Sequence, residues 1–324
     1  MHNTTSEHGR PQRLKRKDLA MGILYKFSEI YESSEAESIT DISIPIDQAR
    51  LHLKERFGVE YTSNQWIFTQ LKRYEDEINS RLFEKTKVRG PNEFSLSLYP
   101  EMIEFTQKIH LHIPKKIVTA NGIFEKIHLF AKGKQSVSLC LGAGSTTYYL
   151  AQIFIDQMNE LATKFQLYSH NAGILSLFYN HPINSNKIQI ISAGGELDPI
   201  TMTLVGNPKQ MFPTQTFDFI VQGTSIIHDG NLYIESDKER EVKASLLHNH
   251  QGCKILVSTK HEFQDEPPKD IEPYGKITDY DYIVVPRKMG SNYKKQYDLK
   301  WESYLEMLEP EIMNWNYSIY RIKK

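Results

Sequence analysis

Residues 135–286 predict an α/β fold with a largely parallel sheet, and residues 18–99 predict a smaller α+β unit ahead of it. Three observations carry this. Apolar runs of strand length alternate with segments of helical period from Val137 to Val285. The stretch Ser136 to Asp156, SVSLCLGAGSTTYYLAQIFID, leaves an apolar run through Gly142-Ala143-Gly144. It then passes Ser145-Thr146-Thr147 and resumes at helical spacing with Leu150, Ile153 and Phe154. Ahead of both, two helical patterns meet at a glycine and are followed by two strand-like runs about a turn.

Residues 1–17 read as a flexible basic arm, with Arg10, Arg13, Lys15, Arg16 and Lys17 against Glu7. It is either a tail that touches DNA phosphates or a plain leader. Asp18 to Tyr31 is an amphipathic helix with Leu19, Ile23, Leu24, Phe27 and Ile30 on one face. Ile44-Pro45-Ile46 is extended, because the residue before a proline avoids the helical region. Asp47 is expected to cap a helix through Leu51, Leu53 and Phe57 that Gly58 stops. Thr62 or Ser63 caps the next helix, which carries Trp66, Ile67, Leu71, Tyr74 and Ile78. Helix, glycine turn, helix is the grammar of a helix-turn-helix. Ser80 to Leu98 then forms a hairpin about Arg89-Gly90-Pro91-Asn92, which completes a winged-helix pattern. Residues able to meet bases or phosphates are Asn64, Gln65, Gln70, Lys72, Arg73, Arg81, Lys85, Lys87 and Arg89.

Residues 100–134 read as a helical linker, with one helix around Met102, Phe105 and Ile109 and another from Ile117 to Phe130. The alternating region has strands at Val137–Leu141, Phe165–Ser169, Lys187–Ser192, Phe217–Gln222, Lys254–Ser258 and Tyr282–Val285. Its helices are Thr146–Asn159, Ala172–Tyr179 and Lys238–His250, with weaker patterns at Asn207–Phe212 and Glu262–Glu266. In a parallel sheet of this Rossmann-like kind, ligands bind beyond the carboxyl ends of the strands. The loops Gly142–Thr147, Ser169–Asn171, Gly194–Glu196, Gly223–Ser225 and Ser258–Lys260 would share that rim. The tail, residues 287–324, is aromatic and basic, with Tyr293, Trp301 and Trp315 among its rings. It is expected to place a helix from Leu299 to Leu308 on the domain or to meet a partner.

Composition narrows the function. The chain has 324 residues, 40% hydrophobic and 24% charged, and a formal net charge of −1. It is long enough for two domains, and as a whole it is not a generic polyanion binder. Residues 1–90 hold 15 Lys+Arg against 14 Asp+Glu, a net of +1. Cys140 and Cys253 lie in apolar runs and read as buried free thiols of a reducing compartment. The N-terminus is polar and no run reaches 18 apolar residues, so a cytoplasmic protein with no membrane partner is expected. The 12 histidines are scattered. His248 and His250 fall on different helix faces, and neither a metal set nor a cofactor motif emerges.

Four motifs in order, from about Ile117 to Val285, resemble the sensor domain of DeoR-type sugar-metabolism repressors and, more distantly, the ribose-5-phosphate isomerase and CoA-transferase superfamily. GAGSTT resembles an Asp-x-Gly-Ser-Thr-Thr loop, and SHNAGI (Ser169 to Ile174) the segment after the second strand. AGGELDPITMTLVGN (Ala193 to Asn207) resembles a Gly-Gly-Glu-Leu segment running on to Leu-Val-Gly. DFIVQGTSIIHDGNLYIESDKEREVK (Asp218 to Lys243) resembles the stretch ending in a Glu-x-x-Val-Lys helix. LKERFGVEYTSNQWIFTQLKRYEDE is similar to the family's helix-turn-helix. The resemblance implies a DNA-binding oligomer whose sensor binds a phosphorylated sugar or related metabolite. Gly142, Gly144, Ser145, Thr146 and Thr147 would cradle the phosphate, a role that helix-terminal amides and hydroxyls also suit on physical grounds. Ser169, His170, Asn171, Gly194, Gly195, Glu196, Gly223, Glu239, Lys243 and Lys260 complete the expected site. Glu239 and Lys243 also read as a solvated i,i+4 ion pair, and the GAGSTT loop as an ordinary βα turn.

The sequence departs from the family in three places. Gly142 stands where the family has an acid. Val257 to Phe263 lacks its Asp-x-x-Lys-Phe pattern. Asn64-Gln65-Trp66-Ile67-Phe68 replaces its Arg-Arg-Asp-Leu. Two alternatives follow. One is a sugar-phosphate isomerase, though the Asp-Gly-Ala-Asp and Lys-Gly-Gly-Gly segments of such enzymes do not occur. The other is a sensor or scaffold that has left DNA and acts through protein partners.

Overall fold

The computed structural model describes residues 13–324 apart from 91–92, 101–103, 208–209, 213–215 and 289–293. Two compact units divide the chain, one ending at Ile113 and the other running from Pro114 to Lys324. Parts of the predicted arm, of the hairpin turn and of the Met102 segment lie outside the described residues, as does Tyr293.

The first unit runs α1 (Arg16–Ser33), β1 (Ser43–Pro45), α2 (Ile46–Phe57), α3 (Asn64–Ile78), β2 (Phe83–Gly90), β3 (Glu93–Leu98) and the single turn α4 (Phe105–Lys108). Its antiparallel sheet has the order β1-β3-β2. Leu19, Ile23, Leu24 and Phe27 of α1 are buried with Leu53 of α2 and Ile67 and Leu71 of α3, and α1 packs on both helices. Gly22 lets α1 and α2 approach, since a Cβ there would lie 2.7 Å from the Phe57 ring. Gly58 ends α2 in the left-handed conformation (φ 69°), and Ser63 caps α3 by accepting from the Trp66 amide. The cap of α2 is Pro45 and not Asp47. The extended backbone that precedes the helix reaches Pro45, which places Asp47 within the first turn, where it accepts from Asn64 Nδ2 at 3.1 Å. Glu75 fastens α3 to the sheet. Its Oε1 accepts the amides of Leu82 and Phe83, each at 2.6 Å, and its Oε2 meets Lys72 Nζ at 2.6 Å.

The second unit begins with α5 (Ile113–Ala131), whose first residue ends the first unit. It continues through β4 (Ser136–Leu141), α6 (Ser145–Asp156), β5 (Lys164–Ser169), α7 (Ala172–Asn180), β6 (Ile188–Ser192), β7 (Glu196–Asp198), β8 (Thr203–Val205), β9 (Phe219–Gly223), β10 (Ile226–His228) and β11 (Asn231–Tyr233). The remainder is α8 (Asp237–Asn249), β12 (Cys253–Val257), β13 (Gly275–Lys276), β14 (Tyr282–Pro286), α9 (Gln296–Glu302), β15 (Leu308–Met313) and β16 (Tyr317–Ile322). It is an α/β unit built on a mostly parallel eight-stranded sheet of order β15-β16-β14-β12-β9-β4-β5-β6. β7 and β8 form a separate hairpin, and β10, β11 and β13 a small antiparallel sheet.

Both faces of the inner strands are covered, so β9, β12 and β14 are largely apolar, while the edge strands β6 and β15 are partly exposed. Leu139, Leu167, Val221, Ile255, Val284 and Ile319 share one core with Ile123 and Ile127 of α5, Leu150 and Phe154 of α6 and Ile174 of α7. On the other face, Cys140, Tyr168 and Ile220 pack with Val242 and Leu246 of α8. Leu256, Ile283 and Tyr320 there pack with Phe263, Tyr280 and Trp301. Both cysteines are free, and burial pushes the Cys140 thiol up to about 12.

Three elements differ from expectation. No helix forms at Glu262–Glu266, because Glu262 turns back to accept from Ser258 and Thr259 while Phe263 bridges to Ile227. The described part of Asn207–Phe212 is a turn on the Asn207 carbonyl rather than a helix. In the tail the helix ends at Glu302 and the chain then adds β15 and β16, antiparallel, to the β14 edge. Pro310 cannot continue a helix, and the register shift beside it blunts the outer edge of β15. Among the described residues no helix is long and apolar enough to cross a membrane.

Candidate functional site

The chain leaves β4 toward β5 and β6, then returns to β9 on the other side. β4 and β9 therefore flank the point where strand order reverses, and the crevice beyond their carboxyl ends is where such sheets take ligands. Leu141 pairs with Ser169 and Val221, and Val257 with Gly223, so the loops that follow these strands emerge at one level.

The GAGSTT loop enters α6 with Gly144 as cap, at φ 142°, a conformation that favours glycine. Glycine offers no side chain to the first turn, so no side chain caps the amides of Ser145, Thr146 and Thr147. Asn171 and Ser236 do cap α7 and α8. The Thr147 hydroxyl lies 2.7 Å from Gly142 O and 2.8 Å from Gly144 O and is used up within the loop. Gly142 has a packing reason of its own. A Cβ at this position would stand 3.1 Å from Gln222 Cγ and 3.2 Å from Val221 O.

Most of the other expected ligand groups are committed to the fold. Ser169 Oγ donates to Leu141 O at 2.9 Å and accepts from the Asn171 amide. Asn171 caps α7 and reaches Gly144 O at 3.4 Å. Lys243 is 1% exposed. Its ammonium donates to Gly223 O at 2.9 Å and Ala143 O at 3.2 Å and pairs with Glu239, itself 2% exposed, at 3.4 Å. Two carbonyls and a carboxylate surround the ammonium. Lys243 thus staples the β4 loop to the β9 loop. Gly223 O also accepts from Tyr274, and the Tyr280 hydroxyl donates to Gln222 Oε1 at 2.7 Å. Gln222, Tyr274 and Tyr280 were not among the expected site residues; a glutamine inside the apolar run DFIVQG was the one signal for them.

His170 is different. It is 0% exposed, yet neither ring nitrogen has a partner among the described residues. Two residues beyond Tyr168, it lies on the face that α8 covers, and it feels the Lys243 charge. Burial first, and Lys243 second, hold its pKa down to about 3, so the ring is neutral. It offers one donor and one acceptor to whatever reaches it.

The remaining residues lie farther out. Gly194 (φ 71°), Gly195 (φ 130°) and Glu196 lead into the β7–β8 hairpin, and Glu196 pairs with Lys238 between exposed side chains. Lys260, at φ 74°, turns away to Asp298 at 3.4 Å. Burial lowers its pKa, an effect that Asp298 partly offsets.

In the first unit, Asn64 is bound to Asp47, and Gln70 accepts from Arg16. Lys72 donates to Phe83 O at 2.7 Å besides pairing with Glu75. Gln65 is exposed and accepts from Lys85 at 2.8 Å, while the Lys85 ammonium lies over Phe68 and Phe94. Arg81 stacks on Tyr99, and Arg73 and Arg89 are exposed. Lys87 belongs to β2, but its side chain is outside the described set.

No protein-family model and no curated protein matches the chain. Solved structures similar to it include ribose 5-phosphate isomerase from Plasmodium falciparum, at 10% identity and a TM-score of 0.31, covering 64% of this chain and 78% of that one. Ribose 5-phosphate isomerase A from Methanocaldococcus jannaschii is similar at 10% identity and 0.32, over 64% and 79%. The eIF2B delta structure from Chaetomium thermophilum is similar at 9% identity and 0.33, over 80% and 92%.

Proposed function

We propose that the protein is a metabolite-responsive transcription regulator. Its α/β unit binds a small phosphorylated sugar or related phosphate monoester where β4 and β9 diverge. Its first unit is a winged helix that contacts duplex DNA, and ligand binding shifts a homo-oligomer between DNA-competent and incompetent populations. The observation that carries the ligand reading is His170, a fully enclosed neutral imidazole with two idle nitrogens beside the Lys243 staple. Uncapped amides at the start of α6 supply the anion end, where backbone N–H groups and the helix dipole favour negative charge. For the first unit, support comes from the order α1-β1-α2-α3-β2-β3, with the exposed residues Gln65, Arg73 and Arg89 on α3 and the hairpin.

The ligand test is a thermal-shift panel of ribose 5-phosphate, glucose 6-phosphate and fructose 1-phosphate on the full chain, with Ser145→Pro alongside. Proline suits the first helical position and removes one amide there without breaking the helix. A sugar phosphate at 100 times its Kd stabilises by about 2.7 kcal/mol. We expect Ser145→Pro to keep the unliganded melting temperature and lose affinity at least tenfold. Equal affinity would take the phosphate away from α6.

A second reading has its own observation. Asn64, Gln70 and Lys72 are bound inside the first unit, which suits a winged helix that meets proteins. Salt-titrated anisotropy with duplex DNA decides between them. Loss on Arg73→Ala and Arg89→Ala, with a reduced salt slope, supports DNA contact. Salt-independent or absent binding supports the protein-contact reading.

A further inference from the structure

His170 poses a problem of access. A buried polar group without a partner is rare in folded proteins, and His170 has two such nitrogens. A ligand that satisfies them must get past whatever covers the ring. The β7–β8 hairpin is bonded to the backbone on either side of the ring and packs against α8. The Leu204 amide donates to His170 O at 2.7 Å, and the Ala172 amide donates to Met202 O at 2.7 Å. Asn171 and Thr203 form an isolated antiparallel bridge. β8 thus closes the carboxyl end of β5 and packs between α7 and α8. Thr203 and Val205 are buried in consequence.

The hairpin's other attachments are light. β7 meets α8 through Glu196–Lys238, at 3.3 Å between exposed side chains, and through Ser236 Oγ donating to Asp198 Oδ2 at 3.1 Å. Exposed ion pairs contribute little. Leu197 and Ile200 face outward on the same hairpin, 45% and 53% exposed, and bury little there. Glycines mark both ends. Gly194 and Gly195 precede β7 at positive φ, and Gly206 follows β8. A Cβ on Gly195 would stand 2.4 Å from Val205 O, so the arms meet too closely for any other residue.

We propose that the β7–β8 hairpin is a lid, hinged at Gly194-Gly195 and Gly206, that opens to admit the phosphorylated ligand to His170 and closes over it. The proposal rests on the ligand reading of this site. Closure shields the imidazole from water, and opening gives up the Leu204 and Ala172 hydrogen bonds. The lid therefore gates the rate of binding as well as its strength.

The test locks the lid in the full chain. Asp198→Cys with Ser236→Cys, in a Cys253→Ser background, joins hairpin to α8 when oxidised. Uptake of radiolabelled ribose 5-phosphate, glucose 6-phosphate and fructose 1-phosphate is followed by rapid filtration. The oxidised protein should bind at least tenfold more slowly than the reduced, and dithiothreitol should restore the rate. Unchanged uptake after oxidation, with wild type binding, overturns the lid and leaves the site standing. Wild type that binds none of the three overturns the site and the lid with it. Hydrogen exchange decides should the cysteines fail to join. Slowing of the Ala172 and Leu204 amides at least tenfold by the bound sugar phosphate supports the lid, and exchange that ignores it overturns the lid.

Discussion

Replacing Lys243 with methionine tests whether the crevice is held open by a staple or by the sheet alone. Methionine keeps most of the apolar stem and removes the ammonium. Three contacts go with it. Ala143 O loses the donor at 3.2 Å, Gly223 O loses one donor and keeps Tyr274, and Glu239 stays buried without the cation at 3.4 Å. The last dominates, since breaking a buried ion pair from one side costs about 3–5 kcal/mol, against roughly 1 kcal/mol for an ordinary hydrogen bond. We therefore expect Lys243→Met to cost about 4 kcal/mol. For a unit of this size each kcal/mol moves Tm by roughly 2–4 °C, so calorimetry of the full chain should show the α/β transition falling by ~10 °C. Adding Glu239→Gln removes the buried charge and should recover at least ~1.5 kcal/mol, a coupling that a double-mutant cycle reads directly. A loss under ~1 kcal/mol for Lys243→Met, or strict additivity with Glu239→Gln, would show that these two side chains do not form the clasp.

Two further outcomes follow. His170 sits at about 3 in the folded chain against an ordinary value of 6.5, so the unfolded chain takes up a proton that the native state refuses. Its share of stability is whole above pH 6.5 and drains as pH falls toward 3, by at most ~1.4 kcal/mol per pH unit. Urea midpoints at pH 7, 6 and 5 should fall less steeply in His170→Asn than in wild type; parallel profiles would mean that the ring is not held neutral. His52 and His261 are also lowered, chiefly by burial, and add to the slope that remains. In the first unit, Glu75→Ala leaves the Leu82 and Phe83 amides without an acceptor and should cost about 3 kcal/mol, read as a fall in that unit's calorimetric transition. A change below ~1 kcal/mol would show that water replaces the carboxylate.

The sheet was legible because its strands had no alternative. Val137–Leu141 and Tyr282–Val285 are too apolar for any place but a sheet covered on both faces. The helix starts were legible where a side chain makes them, as at Ser63 and Asn171. Misreadings came where local pattern competed with longer-range contacts. Glu262 to Glu266 has a helical composition, but the Glu262 carboxylate is worth more to the Ser258 and Thr259 donors than to a helix. The tail carries two strands, and the inner one, β16, pairs with β14 more than thirty residues earlier. No local window contains that pairing.

The candidate site shows a sharper limit. A sequence reveals which donors exist but not which are already spent. Thr147, Ser169, Asn171 and Lys243 look like ligand groups, and each hydrogen-bonds the backbone that brings the loops together. His170 looks the same in the string SHNAGI and is the one whose nitrogens stay idle. The Gly142 departure follows the same logic. An acid there needs space that Gln222 Cγ and Val221 O occupy, and Gln222 is held in place by the Tyr280 hydroxyl and the Lys243 carbonyl. Glycine at 142 and the presence of Gln222 and Tyr280 are thus one packing solution. In it, the carboxylate paired with the staple is the buried Glu239.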